Sequence, residues 1–322
     1  MDLKQEILKA IKDRGGFVNC HGHFDKAFYI TKEGLDQSMV NMETKWHMSD
    51  DIKRNSSIEQ VKKRISKCLD IMIDQGVKTA ASFVDTYLAV GNKNIEAAKE
   101  VKKEYSDRIN FLIITQPLGG LVDSRARNLY EELTAKADIA GGLPSRDRPR
   151  DQDNMEYLFS IAKNLHKPLH VHIDQENNPY ERDTTMLIEY TEKYNMQGRV
   201  TAVHAISVSA QPKHMRQEIY RAMADNGVSV VVCPSAALAM RQLDQLAAPT
   251  HNSIANIPEM LAAGVLVGLG TDNIYDFYQP FVDGDLWTEL RMLQEACRYY
   301  DFENLVNIAS INGQKILSAP NI

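Results

Sequence analysis

The chain has 322 residues, of which 43% are hydrophobic and 25% charged, a balance that is ordinary for a globular protein with a sizeable core. Its formal net charge of −6 gives no electrostatic reason to expect a nucleic acid or an anionic membrane as partner. No apolar stretch reaches the roughly 20 residues of a spanning helix, and the charged N-terminal stretch is unlike a signal peptide. The four cysteines include no CxxC pair, which predicts reduced thiols in a cytoplasmic protein.

Short β-branched runs alternate with amphipathic helical segments along almost the whole chain. The predicted strands cover 16–23, 77–85, 109–115, 138–143, 167–173, 198–204, 227–233 and 264–270. From the second strand onward they begin about 30 residues apart, which is the length of one strand, one helix and two loops. Eight such units predict an α/β fold of the (β/α)₈ TIM barrel type, with a doubly wound open sheet as the alternative.

The segments between the strands carry helical patterning, and one long insertion interrupts the regular spacing. Residues 57–76 are predicted to form a helix that begins with a Ser57 cap and ends at Gly76. Residues 27–56 follow the first strand, and an insertion of this length beside a barrel mouth is a candidate lid. Since no low-complexity linker separates parts of the chain, residues 1–322 are predicted to form a single domain.

Residues that can bind a metal end four of the predicted strands. His21 and His23 end the first strand, and side chains two apart on a strand lie on the same face. His172 ends the fifth strand, His204 ends the sixth, and Asp272 follows the eighth. Functional residues of a barrel gather at these C-terminal strand ends, and buried histidine or aspartate needs a partner. The alignment therefore predicts a metal site.

Two residues close to these strand ends are interpreted differently. His170 lies two residues deeper than His172 and is expected to be a hydrogen-bonded histidine of the core or one that supports the site. Cys233 ends the seventh strand and could reach the barrel mouth, but a single thiol is weak evidence for a metal ligand.

The stretches HGHFDK, HVHIDQ, VTAVHA and GTDNIYDFYQPFVDGD resemble the amidohydrolase superfamily, and within it the cytosine deaminase-like branch that includes N-isopropylammelide amidohydrolase. The resemblance extends from the first strand to the predicted helix at 312–317. It implies hydrolysis of a non-peptide C–N bond on a nitrogen heterocycle. It also implies one divalent metal ion bound by His21, His23, His172 and Asp272. Zinc is favoured, although iron and manganese suit the same ligands.

The resemblance further implies catalytic roles around the metal. His204 would hold the attacking water, and Asp272 would accept a proton from it. Cytosine deaminase has a proton-shuttling glutamate where this chain has Gln175, an amide that hydrogen bonds but does not transfer protons at accessible pH. Lys26 is the expected replacement, with a pKa lowered by the nearby cation so that it can donate a proton to a leaving amine. Glu176 is the alternative replacement.

Four residues are candidates for substrate binding. Gln116 resembles the ring-binding glutamine of the family, and its primary amide can pair with the N–H and C=O edge of a heterocycle. Gln175 could contact the substrate as an amide. Asn273 and Asp276 are expected to brace the loop after the eighth strand, with substrate binding as a second role.

The chain departs from most of the family in its architecture. Most relatives wrap a β-sandwich, built from both chain ends, around the barrel. Only 20 residues precede His21 and 50 follow Asp272, and neither end has alternating strand patterns. A bare barrel without a β-sandwich is therefore predicted.

These observations predict a mononuclear metal-dependent hydrolase that releases ammonia or a small amine from a nitrogen heterocycle. A ring-opening hydrolase of cyclic amides would use the same site, and a metal-dependent decarboxylase is a less favoured alternative. Gln175 also leaves open a catalytically silent binding protein. The expected partner is a small nitrogen-containing molecule, without nucleic acid or membrane, and a homo-oligomer is compatible with the sequence.

Overall fold

A computed structural model of the protein describes residues 2–40, 42–240 and 254–318. Within these ranges the β-strands are β1 (Val18–Asn19), β2 (Thr79–Asp85), β3 (Asn110–Gln116), β4 (Ala140–Gly142), β5 (Leu169–Ile173), β6 (Val200–His204), β7 (Ser229–Val232) and β8 (Val267–Leu269). Each observed strand lies within a predicted one or within one residue of it. The predicted order and number of strands are thus those of the structure.

The α-helices of the described residues surround these strands. They are α1 (Leu3–Asp13), α2 (Met42–Asn55), α3 (Ile58–Asp74), α4 (Lys93–Glu104), α5 (Ser124–Lys136), α6 (Asp151–Asn164), α7 (Asp183–Tyr194), α8 (Lys213–Asp225), α9 (Pro234–Ala239), α10 (Ile257–Ala262), α11 (Leu286–Cys297), α12 (Phe302–Ala309) and α13 (Ile311–Leu317). Four short 3₁₀ helices cover Phe24–Lys26, Lys32–Met39, Pro144–Asp147 and Ser207–Ala210. None of the helices described is long and apolar enough to cross a membrane.

The strands form a closed, all-parallel arrangement. Strands β1, β2 and β3 pair in one sheet, and β4 to β8 pair in sequence order in a second. Isolated parallel bridges join Ile114 to Ile139, between β3 and β4, and Gly22 to Asp272, between the ends of β1 and β8. The cycle from β1 to β8 and back confirms the predicted barrel, and it gathers the carboxyl ends of all eight strands at one rim.

Helix α3 shows how the local sequence sets the boundaries of an element. Ser57 and Gln60 form a capping box at its start. At its end Gly76 has a φ of +79°, its N–H donates to the carbonyl of Ile73, and the N–H of Val77 donates to the carbonyl of Met72. This is a Schellman ending, which requires the left-handed conformation that glycine adopts at little cost. The predicted helix over 57–76 therefore ends where its sequence signals indicate.

The apolar core fills the space between the barrel and its helices, which leaves the C-terminal rim for polar side chains. Alternate residues of β5, namely Leu169, Val171 and Ile173, pack in the cluster shared with the helices. The residues between them, His170 and His172, are buried on the opposite face of the same strand. The alternation therefore places His172 inside the barrel at its rim.

Candidate metal centre and active site

Three imidazoles and a carboxylate meet at the C-terminal rim of the barrel. The ligand atoms of His21, His23 and His172 lie within 4.8 Å of one another. The two Nε2 atoms of His23 and His172 are 3.4 Å apart. Asp272 Oδ1 lies 3.3 Å from His21 Nε2 and 3.1 Å from His23 Nε2. The four side chains that the sequence predicts as ligands are thus brought together, and all four are buried.

The geometry and ionisation of this cluster fit a divalent metal ion. Ligands at about 2.0–2.1 Å from a tetrahedral zinc lie about 3.3 Å from each other, which matches the distances between these atoms. Burial, with a contribution from Lys26, lowers the pKa of His23 to about 3. Burial also holds the pKa of His172 well below its ordinary value. Neutral imidazoles offer the lone pairs that a metal needs, so this donor set can hold one.

Two glycines allow the ends of β1 and β8 to approach closely. A Cβ on Gly270 would lie 2.7 Å from His21 Cβ and 2.9 Å from the His21 carbonyl oxygen, and one on Gly22 would lie 2.4 Å from the Phe24 ring. The His21 carbonyl also accepts hydrogen bonds from the N–H groups of Thr271 and Asp272, at 3.0 and 3.1 Å. Gly270 therefore allows the short distance between His21 and the segment that carries Asp272, and Gly22 makes room for the Phe24 ring.

Gly270→Ala is expected to weaken metal binding without removing any ligand. The added methyl group must push β8 away from His21, and overpacking of this kind costs about 1–3 kcal/mol of folding free energy. The measurement is metal titration of the variant together with its thermal melting, compared with Gly34→Ala. Gly34, like Gly270, is not among the glycines with a positive φ, and a Cβ there would meet its nearest neighbour at an ordinary contact distance of 3.5 Å. Equal metal affinity in the two variants would contradict the spacing role of Gly270.

His204 stands beside the cluster in an unusual backbone conformation. It is the register partner of Ile173, which packs toward the helices, so strict alternation would turn His204 away from the barrel interior. A φ of +78° instead ends the strand at this residue, and Asp272 is also left-handed, with a φ of +59°. Left-handed backbone is strained for residues with a Cβ and clusters at functional sites. His204 Nε2 lies 3.9 Å from Asp272 Oδ2, at the edge of the cluster.

A cavity of about 370 Å³ opens above the cluster, a volume suited to a small ring compound. Its polar wall includes the predicted residues Gln116, Gln175, Glu176 and Asn273, together with Lys26. Asp276 does not line it. The candidate lid, residues 27–56, contributes Ser38, Met39, Val40 and Lys45 to the same wall. Its movement as a lid remains a prediction.

Lys26 is part of a buried charge cluster, and the structure corrects the expectation of a lowered pKa. Its Nζ lies 3.3 Å from Asp85 Oδ1. Burial alone would lower the pKa of Lys26, but the carboxylates of Asp85 and Asp25 raise it above its ordinary value. Asp25 is next to Lys26 in the sequence, but Asp85 is 59 residues away, so its place beside the ammonium depends on the fold. Lys26 therefore carries its proton at neutral pH.

The second cation of this cluster comes from the insertion. Lys53, on α2, is buried and its Nζ lies 2.9 Å from Asp85 Oδ2. Burial would raise the pKa of Asp85, but Lys26 and Lys53 together lower it to about 2. Asp25 accepts hydrogen bonds from the N–H of Asp85 and from Asn94 Nδ2, at 2.9 and 2.8 Å. The ion pair between Lys53 and Asp85 thus connects the C-terminal half of α2 to the same carboxylate that pairs with Lys26.

The loop after β8 is braced by the residues that the sequence suggested. Asn273 Nδ2 donates to Asp276 Oδ2. Asp276 Oδ1 accepts from the N–H groups of Tyr278 and Gln279, at 2.8 and 3.0 Å. Bracing is therefore the role that the contacts of Asp276 support, while Asn273 also reaches the cavity wall.

His170 is buried as predicted and its supporting role stays a prediction, while two other residues lie nearer to the site than the sequence indicated. Neither ring nitrogen of His170 has a hydrogen-bond partner among the described residues, although the side chain is buried. The sulfur of Cys233 lies within 4.8 Å of the ligand atoms of His21 and Asp272. Gln279 lines the cavity although no motif argument selected it. A loop glutamine carries no periodic or spacing signal from which its position could have been found.

Comparison with known proteins agrees with this geometry. The model of the amidohydrolase family matches residues 15–321. The chain belongs to the amidohydrolase family. It is therefore an enzyme that hydrolyses carbon–nitrogen bonds, and the predicted membership of the cytosine deaminase-like branch is confirmed. Divalent metal binding is typical of this family, in keeping with the histidine cluster.

Relatives and solved structures that resemble this amidohydrolase span most of the chain. An uncharacterized protein of Haemophilus influenzae is 33% identical over 80% of this chain and 94% of its own length. N-isopropylammelide isopropyl amidohydrolase of Pseudomonas sp. is 26% identical over 84% of this chain, which spans 65% of that protein. The structure of 5-methylcytosine deaminase from Klebsiella pneumoniae superposes with a TM-score of 0.85 and 21% identity, over 94% of this chain and 74% of that one. The structural likeness confirms the fold.

Proposed function

We propose that this amidohydrolase releases ammonia or a small amine from a nitrogen heterocycle, using one bound divalent metal ion, most simply zinc. The observation that carries the proposal is the meeting of three groups in one cavity of small-molecule size. These are the ligand cluster of His21, His23, His172 and Asp272, the ammonium of Lys26, and the amide of Gln116. Two similar proteins, an N-isopropylammelide isopropyl amidohydrolase and a 5-methylcytosine deaminase, are named for reactions of this class, which supports the proposal.

The bound metal would supply Lewis acidity, which lowers the pKa of a coordinated water toward about 7. The imidazoles of His21, His23 and His172 would hold the ion. Asp272 Oδ2, the oxygen closer to His204, would accept a proton from the attacking water. His204 would orient that water through a hydrogen bond, which its strained backbone positions at the edge of the cluster.

The reaction replaces a C–N bond at the ring carbon by a C–O bond, and residues of the cavity wall would move the protons and hold the ring. The water oxygen forms the new C–O bond while the exocyclic C–N bond breaks. One water proton reaches the leaving nitrogen, by way of Asp272 or by exchange with the Lys26 ammonium, and the other remains on the ring product. Lys26 would donate to the leaving nitrogen, and Gln175 would position the ring as a neutral amide. Glu176, which also lines the cavity, is the alternative proton donor.

A product-resolved screen tests the proposal. The metal-loaded protein is incubated with aminated pyrimidines, triazines, pterins and cyclic amides, and ammonia, free amine, ring-opened acid and carbon dioxide are measured separately. Ammonia or amine release from at least one ring is the expected result. Ring opening alone would replace the deaminase assignment by a cyclic amide hydrolase. Carbon dioxide release would indicate a decarboxylase, and binding without turnover of any compound would favour a silent binding protein.

A further inference from the structure

The side chain of Gln279 is buried in the cavity wall with both of its polar atoms unused. It is 4% exposed, and neither Oε1 nor Nε2 has a hydrogen-bond partner among the described residues. A buried amide without partners destabilises a fold, so native proteins keep few of them and usually for a function. Since Gln279 lines the cavity, a bound molecule is the partner that its position offers.

The backbone around Gln279 is held in place independently of its side chain. Its N–H donates to Asp276 Oδ1 at 3.0 Å, and its carbonyl accepts from the N–H of Asp276 at 3.4 Å. Asp276 is itself held by Asn273, the residue next to the predicted ligand Asp272. The amide is therefore presented from the same braced loop as the candidate ligand Asp272. This arrangement fixes where a ligand can meet it relative to the reacting centre.

A second buried amide lines the same cavity. Gln116, at the end of β3, is 2% exposed and its Oε1 has no hydrogen-bond partner among the described residues. A primary amide offers one acceptor and two donors side by side. This pattern matches an edge that carries a donor next to an acceptor, as the N–H and C=O of a lactam or cyclic imide do.

The charges of the wall favour carbonyl oxygens at that edge over amino groups. Lys26 and Lys45 contribute ammonium groups to the cavity, and Glu176 and Asp272 contribute carboxylates. The charge of Lys26 is balanced by Asp85, so Lys45 and a divalent cation at the cluster are the charges that favour electron-rich oxo substituents. The amino group that is released must face the cluster and Lys26. The edge of the ring that hydrogen bonds to Gln279 is therefore a different edge from the one that carries this amino group.

We infer that Gln279 is a specificity-determining residue which, with Gln116, reads the N–H and C=O edge of an oxo-substituted nitrogen heterocycle. The inference rests on the proposed function for the position of the reacting amine. It names the substrate class as a lactam or cyclic imide ring that carries one exocyclic amino or alkylamino group. Rings in which the lactam nitrogen is alkylated bind more weakly, because the amides of the wall then lose their partners.

Binding of amine-free rings tests this inference apart from catalysis. Uracil, cyanuric acid and lumazine are each compared with their fully N-methylated forms by calorimetric titration of the metal-loaded protein. We expect at least one free ring to bind about 10-fold or more tightly than its methylated form, which is the size of one lost hydrogen bond in a buried site. In Gln279→Met the ratio of the affinities for the free and the methylated ring should fall to about 3-fold or less, while the affinity for the methylated ring is unchanged.

Two further variants separate recognition from folding. Gln279→Glu keeps the size and the acceptor but loses the donor, so it should also bind the free lactam more weakly. Gln217→Met changes an exposed glutamine on α8 and should behave as wild type. The inference is overturned if no free ring binds better than its methylated form, or if Gln279→Met keeps the wild-type difference. It is also overturned if that variant weakens both forms equally.

Failure of the recognition role of Gln279 can be distinguished from failure of the proposed deamination reaction. If no aminated ring is turned over, but the free lactam still binds and depends on Gln279, the reaction assignment fails and the recognition role is supported. If aminated rings are turned over and kcat/KM in Gln279→Met falls equally for lactam and N-methyl lactam substrates, the recognition role fails and the reaction assignment stands.

Discussion

Replacing His172 by alanine is expected to remove bound metal and activity together. The variant deletes one of the three imidazoles whose ligand atoms lie within 4.8 Å of one another. Loss of a residue that only supports a ligand already costs about 10–100-fold in metal affinity, so loss of a ligand should cost at least about 100-fold. Metal content by elemental analysis and turnover of the best substrate from the screen are the measurements.

A matched control distinguishes ligand loss from damage to the barrel rim. Cys233 lies beside the same cluster and is also buried. Cys233 is not one of the four proposed ligands, and it belongs to an apolar cluster of the barrel in which a thiol packs as a small hydrophobic side chain. Cys233→Ser should therefore keep its metal. If Cys233→Ser loses metal while His172→Ala retains it, the ligand set proposed here is wrong.

Replacing Lys26 by methionine is expected to leave the metal bound and to lower turnover by about 10²–10⁴-fold, the range for loss of a positioned proton donor. The side chain lines the cavity but is not one of the four proposed ligands. The variant also removes one of the two cations paired with Asp85, so a lower melting temperature is expected. Metal content, kcat and melting are measured on the same preparation.

Lys53→Met is the control for loss of turnover that results from removing a cation beside Asp85. It removes the other cation from Asp85 but leaves Lys26 in the cavity wall. A smaller loss of kcat than in Lys26→Met, with a similar fall in melting temperature, is expected. Equal losses of kcat in both variants would show that Lys26 acts through the charge of the buried cluster and not as a donor to the substrate.

The barrel and the meeting of its candidate ligands were predictable because both depend on short-range patterns repeated along the chain. Strand spacing and helix signals such as Ser57 and Gly76 are local. The candidate ligands could be selected because each ends or follows a predicted strand, and parallel strands that close a barrel must bring those ends together. The first strand was predicted over 16–23 but is observed only at Val18–Asn19. Beyond it His21 and Gly22 pair with the loop after β8, which no local pattern signals.

The charges around the site were not predictable in the same way. The pKa of Lys26 depends on Asp85, which is 59 residues away in the sequence, and on the burial of both. In the sequence Lys53 is one of several charges on a polar helix, and only the fold brings it to Asp85 at the end of β2. Gln279 stands in a loop, and its unused amide becomes visible only when its surroundings are known. Long-range contacts of this kind decide the electrostatics of the site, and sequence spacing does not encode them.

The most direct test of the proposed function compares one preparation with and without its metal. The protein is treated with a chelator, dialysed, and assayed for ammonia or amine release from an aminated lactam heterocycle before and after one equivalent of zinc is returned. We expect release to fall to background in the metal-free protein and to recover with zinc in wild type but not in His172→Ala. Full activity in the metal-free protein would contradict the metal-dependent reaction proposed for this site.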